Sequence, residues 1–122
     1  MIRIVLCAVT ATLPTLGLAD PDWTRLMGAE IRTALTGRTL VYLDKDDPTQ
    51  RVDTIQDFRA SGATLYTFKG RESWGYWRVE NDQYCSQWPP NDLWTCYALE
   101  RDGESVRFVG ERDDIAVAQY AD

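Results

Sequence analysis

The 122-residue chain contains no histidine. Histidine is the usual general base near neutral pH and a common zinc ligand, so its absence excludes Ser-His and Cys-His nucleophilic sites and histidine-ligated zinc. Basic residues are also scarce, with 13 Lys and Arg against 19 Asp and Glu. Because an acidic chain is not attracted to phosphate backbones or anionic lipid headgroups, we expect neither nucleic acid nor a membrane surface as a partner.

Long apolar runs are missing as well. The main apolar stretch, Ile4 to Leu13, is shorter than the roughly 20 residues that a membrane-spanning helix needs. It follows Arg3 and precedes Gly17-Leu18-Ala19, which is the layout of a secretory signal peptide cleaved after Ala19. A buried N-terminal helix is the alternative interpretation. Export to the periplasm or the medium would leave residues 20–122 as a single domain, and losing Arg3 would change the formal net charge from −6 to −7.

Only three cysteines are present, and Cys7 lies within the predicted signal peptide, residues 1–19. Cys85 and Cys96 remain, in a compartment where disulfides persist. A metal or redox pair is the alternative, but the two cysteines do not form a CxxC motif and no histidine is available to complete a metal site. The sequence therefore predicts a structural disulfide between Cys85 and Cys96.

Two sets of acidic residues are candidates for chemistry. Paired carboxylates can hydrolyse glycosides, but the available acids lie at predicted strand ends and turns, where they are ordinarily solvated: Glu72, Glu80, Glu100 and Asp102. The three aspartates between positions 44 and 47 resemble the start of a calcium loop. Its sixth and twelfth places, however, hold Thr49 and Ile55 instead of Gly and Glu. We therefore expect no catalytic residue, no metal and no cofactor.

The start of the predicted domain has the pattern of an amphipathic helix. Asp20 is a favourable N-cap, and Pro21 is a favourable first helical residue. Apolar residues then recur at spacings of three and four, which places them on one face: Trp23, Leu26, Met27, Ile31, Ala34 and Leu35. Gly37 supplies a left-handed stop. The sequence predicts a helix between Pro21 and Gly37 that docks by this stripe.

After Gly37 the apolar period changes to two, and turn residues recur every 8 to 12 positions, as expected for an antiparallel meander. Eight candidate strands start near the following positions: Arg38, Thr54, Ala63, Ser73, Gln83, Trp94, Glu104 and Asp114. The predicted fold class is mainly β, of the α+β type. An N-terminal helix precedes six to eight antiparallel strands, curled or barrel-like.

Two short turns predict strand register. A two-residue turn at Asn81-Asp82 places Val79 opposite Tyr84 and Trp77 opposite Ser86. A turn at Asp102-Gly103 places Leu99 opposite Val106 and Tyr97 opposite Phe108. These registers gather an apolar face and put Cys85 and Cys96 together on the other face, where adjacent strands bring them within bridging distance.

Aromatic residues are concentrated around the two cysteines. Period-two alternation sends Trp74 and Tyr76 to the face opposite Trp77, and Trp94 lies beside the loop that contains Pro89-Pro90. Exposed aromatics near a rigid loop often form a contact surface, so these three residues are the candidate partner surface. The alternative is that the helix covers this face. We expect Tyr76 to lie under the helix and Trp94 to be exposed.

The run from Gly75 to Cys85, followed by Trp88, Cys96-Tyr97 and Asp102-Gly103, resembles a pattern of small exported alphaproteobacterial proteins of uncharacterised function. The resemblance covers about half of the predicted domain. It implies the disulfide, the sheet and a bacterial periplasmic setting, and it implies no activity.

Taken together, these features predict a periplasmic or secreted protein that acts by non-catalytic binding, in an inhibitor-like or accessory role. Its partner would be a protein or a small ligand. The first alternative is a small barrel that carries an apolar ligand, although inward-facing tryptophans argue against an empty interior. An enzyme that works without histidine is the third hypothesis.

Overall fold

The computed structural model describes residues 22–121. The predicted signal peptide and the predicted helix cap at Asp20 and Pro21 lie outside this range. The elements, in chain order, are β1 (Thr24–Leu26), α1 (Gly28–Leu35), β2 (Thr39–Leu43), β3 (Arg51–Phe58), β4 (Ala63–Phe68), β5 (Arg71–Glu80), β6 (Gln83–Gln87), β7 (Thr95–Asp102), β8 (Ser105–Val109) and β9 (Ile115–Tyr120). None of the helices in this range is long and apolar enough to cross a membrane.

Strands β2 to β9 form a closed antiparallel barrel. Each strand pairs with the next along the chain, and β2 pairs with β9 to complete the ring. This arrangement confirms the predicted fold class, and all eight predicted strands are present within three residues of their expected starts. The period-two pattern located them because one face of each strand packs into the barrel while the other faces outward.

One of the two predicted registers is confirmed, and the other is wrong by two residues. Val79 lies opposite Tyr84 as expected, because Asn81 and Asp82 both take the left-handed conformation that a type I′ turn needs. In the second hairpin Leu99 lies opposite Phe108, not Val106. Only Gly103 is left-handed there, so the turn is centred on Gly103-Glu104. A shift of two residues leaves every side chain on its predicted face.

The predicted helix begins later than expected. Residues 24–26 form β1, which pairs with β7 at Thr24 and Arg101, beyond the point where β6 begins. The extended segment satisfies backbone groups of β7 that would otherwise form an open edge. Helix α1 starts at Gly28, and the Glu30 carboxylate accepts a hydrogen bond from the Met27 N–H (2.9 Å). The predicted stop at Gly37 is confirmed by its φ of +74°.

Helix α1 closes one end of the barrel. Its three buried residues, Ile31, Ala34 and Leu35, are the later half of the predicted stripe. They belong to one core cluster with the inward side chains of this end, which are Leu40, Phe58, Trp77, Leu99, Val106, Ala118 and Tyr120. The Tyr120 hydroxyl donates to the Ala34 carbonyl (2.7 Å) and joins the helix to the last strand. We call this the helix end of the barrel and the opposite end the mouth.

The predicted disulfide is present on the outer face of the sheet. Cys85 and Cys96 are direct partners on β6 and β7, with Cα atoms 4.0 Å apart. The β5–β6 register points Cys85 outward and the pairing of β6 with β7 puts Cys96 on the same face, as predicted. Because the bridge lies outside, it takes no space in the barrel interior.

Candidate functional site: the cavity at the barrel mouth

A cavity of about 970 Å³ occupies the mouth half of the barrel. Both ends are built from inward residues of the same strands, but the mouth half uses smaller ones. Thr54, Ser73, Ser86 and Ala116 line the cavity, whereas the helix end is filled by large apolar side chains. Rings from six inward positions supply most of the wall, namely Tyr42, Tyr66, Tyr84, Trp88, Tyr97 and Phe108.

Trp88 forms one wall because the neighbouring strand has a glycine beside it. A Cβ atom on Gly75 would lie 2.5 Å from the Trp88 ring and 2.6 Å from the Gln87 carbonyl oxygen. The indole therefore lies directly over the β5 backbone. It also meets the Tyr66 ring edge-on, with centroids 5.8 Å apart. Trp88 continues the inward alternation of Tyr84 and Ser86, and it borders the cavity instead of filling it.

A polar network lies between the cavity and the apolar core. At its centre is Gln56, which is 3% exposed. Its Oε1 accepts from the Tyr42 hydroxyl (2.6 Å), and its Nε2 donates to Thr64 Oγ1 (2.9 Å) and to the Tyr84 hydroxyl (3.2 Å). These bonds satisfy the buried amide. They also hold two phenol rings in place, so the inner surface of the cavity is preformed.

Two buried hydroxyl groups of this wall can donate to a bound molecule. The Tyr84 oxygen accepts from Gln56 Nε2 (3.2 Å), and Ser86 Oγ accepts from Trp88 Nε1 (3.2 Å). Both residues are buried and line the cavity. A hydroxyl that accepts one bond also has a proton to donate, so this wall can supply a hydrogen bond to an acceptor atom in the cavity.

The phenols around this network are held in the neutral form. Burial raises the pKa of Tyr84 to about 12, although hydrogen bonds from Ser86 and Gln56 favour its phenolate. Burial also raises the pKa of Tyr42 well above its usual value near 10, and neighbouring tyrosines add to this effect. The pKa of Tyr97 is raised by burial and by the Asp114 carboxylate. These three phenols are therefore uncharged at physiological pH.

The raised pKa values of the buried tyrosines predict a delayed alkaline titration. In the folded protein Tyr42 and Tyr84 will ionise at higher pH than tyrosine in the unfolded chain, which ionises near pH 10. Because their folded pKa is raised, the neutral form contributes stability below about pH 10, and that contribution is lost as pH rises through about 12. For Tyr84 alone the loss is on the order of 2 kcal/mol. Phenolate absorbance recorded against pH, with and without urea, measures the ionisation of tyrosine in the unfolded and in the folded protein. A folded protein in which every tyrosine titrates with a midpoint near pH 10 would contradict a buried network.

The mouth is more acidic than the helix end. Asp44, Glu72 and Asp114 line the cavity, with Lys45 as the single basic lining residue among those described. Residues 44–50, 69–70, 88–94 and 110–114 connect the strands at the mouth, and they contain seven acidic and three basic residues. The turns at the helix end, residues 36–38, 59–62, 81–82 and 103–104, contain two of each. The negative potential is therefore concentrated at the opening.

The other acidic candidates are not brought together. Glu80 is paired with Arg78 (3.0 Å), and Glu100 is paired with Arg107. Asp44 accepts hydrogen bonds from the backbone N–H groups of Asp46 and Asp47 (2.8 and 3.2 Å), so this cluster builds a turn. Within residues 22–121 no group of three or more acidic or cysteine side chains has the geometry of a metal site.

The candidate partner surface is divided over the outer wall. Trp74 and Tyr76 are 49% and 51% exposed, so Tyr76 does not lie under the helix as expected. Trp94 is half-buried, because the Arg78 guanidinium lies 3.9 Å from its ring centroid. Of the three, Trp74 also borders the cavity.

The sequence interpretation did not identify the cavity. The sequence feature that marks the cavity is the set of small residues at inward positions of the mouth half, such as Ser86 and Ala116. Small and large inward residues alternate with outward residues in the same way. The period-two pattern therefore does not show which part of the barrel interior is filled and which part is empty. Comparison with other proteins adds no assignment: no protein-family model matches the chain, and neither a curated protein nor a solved structure is significantly similar to it.

Proposed function

We propose that this protein is an exported, non-catalytic binding protein that takes up a small organic molecule through the mouth of its barrel. The cavity of about 970 Å³ is the observation that carries the proposal. Ligand pockets typically measure roughly 300–1,000 Å³ and combine apolar walls with a few placed polar groups. Six aromatic rings and the Tyr84–Ser86 hydroxyl pair match that description. The carrier hypothesis therefore becomes the first candidate.

The inward tryptophans do not count against a ligand here. Trp77 belongs to the core under α1, while Trp88 stands beside the cavity, over Gly75. Catalysis is less well supported than binding, because the deep cavity hydroxyls are neutral phenols and alcohols and the chain has no histidine to activate them. The outer-face disulfide supports export, since such bonds persist in oxidising compartments.

Filling the cavity tests the proposal. Ala116 lines the cavity, so Ala116→Phe places a ring inside it. Ala98 lies on β7 between two inward residues and faces outward, so Ala98→Phe is a matched control. The probe is N-phenyl-1-naphthylamine, a neutral dye that fluoresces in apolar sites. We expect the wild type and Ala98→Phe to bind it, and Ala116→Phe to bind it at least about tenfold more weakly.

A second cavity variant keeps the test valid if Ala116→Phe does not fold. Trp88→Ala removes a wall of the cavity instead of filling it, and we expect it also to weaken dye binding. Thermal melting of each variant shows whether it is folded. The proposal is wrong if the wild type does not enhance the dye fluorescence, or if folded Ala116→Phe binds like Ala98→Phe.

A protein contact is the second candidate function. It is favoured by the exposure of Trp74 and Tyr76, two outward neighbours on β5, because exposed aromatics often anchor protein interfaces. An accessory or inhibitor-like role would use this surface. Capture of a periplasmic protein by the wild type, with loss of capture in Tyr76→Ala and retention in Ala116→Phe, would favour it over ligand carriage.

A further inference from the structure

We propose that the ligand is an amphipathic organic amine, with its apolar body in the aromatic cavity and its ammonium group at the acidic mouth. This inference rests on the proposed function and adds the chemical class of the ligand. It is carried by three independent features: the charges around the opening, the rings that face the cavity, and the hydrogen-bonding capacity of the inner wall.

The charges at the opening favour a cation. Glu72, at an exposed outward position near the start of β5, and Asp114 lie at the rim of the cavity, and neither forms an ion pair with a basic residue of the described chain. Asp44 adds a third carboxylate beside them. The opening lies at the end of the barrel where acidic residues outnumber basic ones, whereas the helix end is balanced. An ammonium group at this position gains Coulombic attraction, and an anion meets repulsion.

The aromatic rings point to the same class. On the outer wall, rings are already occupied by cations of the protein: Arg59 lies over Trp74, Arg78 over Trp94, and Arg107 over Trp23, at 3.9 to 4.8 Å from the ring centroids. Of the rings that line the cavity, Trp74 at the rim has the Arg59 partner, whereas the six inward rings have no such partner among the described residues. Aromatic faces attract ammonium groups, most strongly where water is excluded.

The inner wall has few groups that could offset the charge of a bound anion. Apart from Lys45 at the rim, the described lining contains no basic side chain. Apart from the carboxylates at the mouth, the other polar groups of the lining are neutral, such as the hydroxyls of Thr54, Ser73 and Ser86, and without a basic partner they leave the charge of a buried carboxylate uncompensated. They suit ether, hydroxyl or carbonyl oxygens on a ligand body. An anionic fatty acid is therefore a poor match for this cavity.

Three probes of one shape and different charge test the inference: 2-(1-naphthyl)ethylamine, 2-(1-naphthyl)ethanol and 1-naphthaleneacetate. Calorimetric titration at low salt measures the affinity of each for the wild-type protein. We expect the amine to bind best and the acetate worst, with about a tenfold ratio between them. Raising the salt concentration should reduce that ratio, because the carboxylates at the mouth are partly solvated.

Paired variants separate local attraction from net charge. Glu72→Gln with Asp114→Asn removes two charges at the mouth, and Asp82→Asn with Glu104→Gln removes two at the helix end. The first pair should abolish the preference for the amine, so that the amine binds no more tightly than the alcohol. The second pair should leave the preference intact.

The outcomes distinguish the two proposals. Equal binding of all three probes, or strongest binding of the acetate, overturns the amine assignment while the binding function stands. An amine preference that survives the mouth substitutions also overturns it. If none of the probes binds, the proposed function falls and the amine assignment falls with it.

Discussion

Replacing Trp77 with alanine is expected to lower the free energy of unfolding by roughly 3–5 kcal/mol, the usual cost of truncating a buried aromatic residue. The Trp77 side chain is 5% exposed and meets Phe58 edge-on, with centroids 5.8 Å apart. Its Nε1 donates to the Arg59 carbonyl (2.9 Å). The substitution removes the ring contacts, leaves a cavity beneath α1 and frees that carbonyl from its partner.

Trp74 is the matched control, since it lies on the same strand and faces the other way. It is 49% exposed, and its ring contact is with the Arg59 guanidinium (4.8 Å). Trp74→Ala should therefore change the free energy of unfolding by less than about 1 kcal/mol. Urea denaturation of both variants measures the difference. Similar losses in both would show that β5 does not have one buried and one solvated face.

The second large effect is expected from the disulfide. Changing both Cys85 and Cys96 to alanine should cost roughly 3 kcal/mol, because the bridge closes a short loop and restricts the unfolded chain. This is a large share of the stability of a domain this size. We expect a lower denaturation midpoint with unchanged dye binding, since the bridge lies on the outer face and the cavity lies within.

Thiol chemistry supplies the control for this experiment. A chain of residues 20–122 should contain no reactive thiol under non-reducing conditions, and a reductant should lower the midpoint of the wild type but not of the double variant. Two reactive thiols per folded molecule would contradict the bridge. A midpoint that is unchanged by the double substitution would show that the loop is held by the β6–β7 pairing alone.

Much of the architecture follows from local chemistry and could be read before any coordinates. The period-two alternation after Gly37 predicted eight strands because a barrel wall has one packed face and one outward face. The left-handed preference of Asn81-Asp82 set the β5–β6 register and with it the face of Cys85, and the pairing of β7 with β6 puts Cys96 on the same face. Each of these properties depends on residues close together in the chain.

The remaining features depend on partners far away in sequence. Trp23 to Met27 has helical spacing, yet residues 24–26 are extended because the uncovered edge of β7 offers backbone hydrogen bonds. The contrast between the two halves of the barrel has the same origin. A small inward residue such as Ala116 leaves space only if its neighbours across the ring are small or are held aside, as Trp88 is by Gly75. Alternation predicts which way a side chain points, while the volume that remains inside is set by eight strands together.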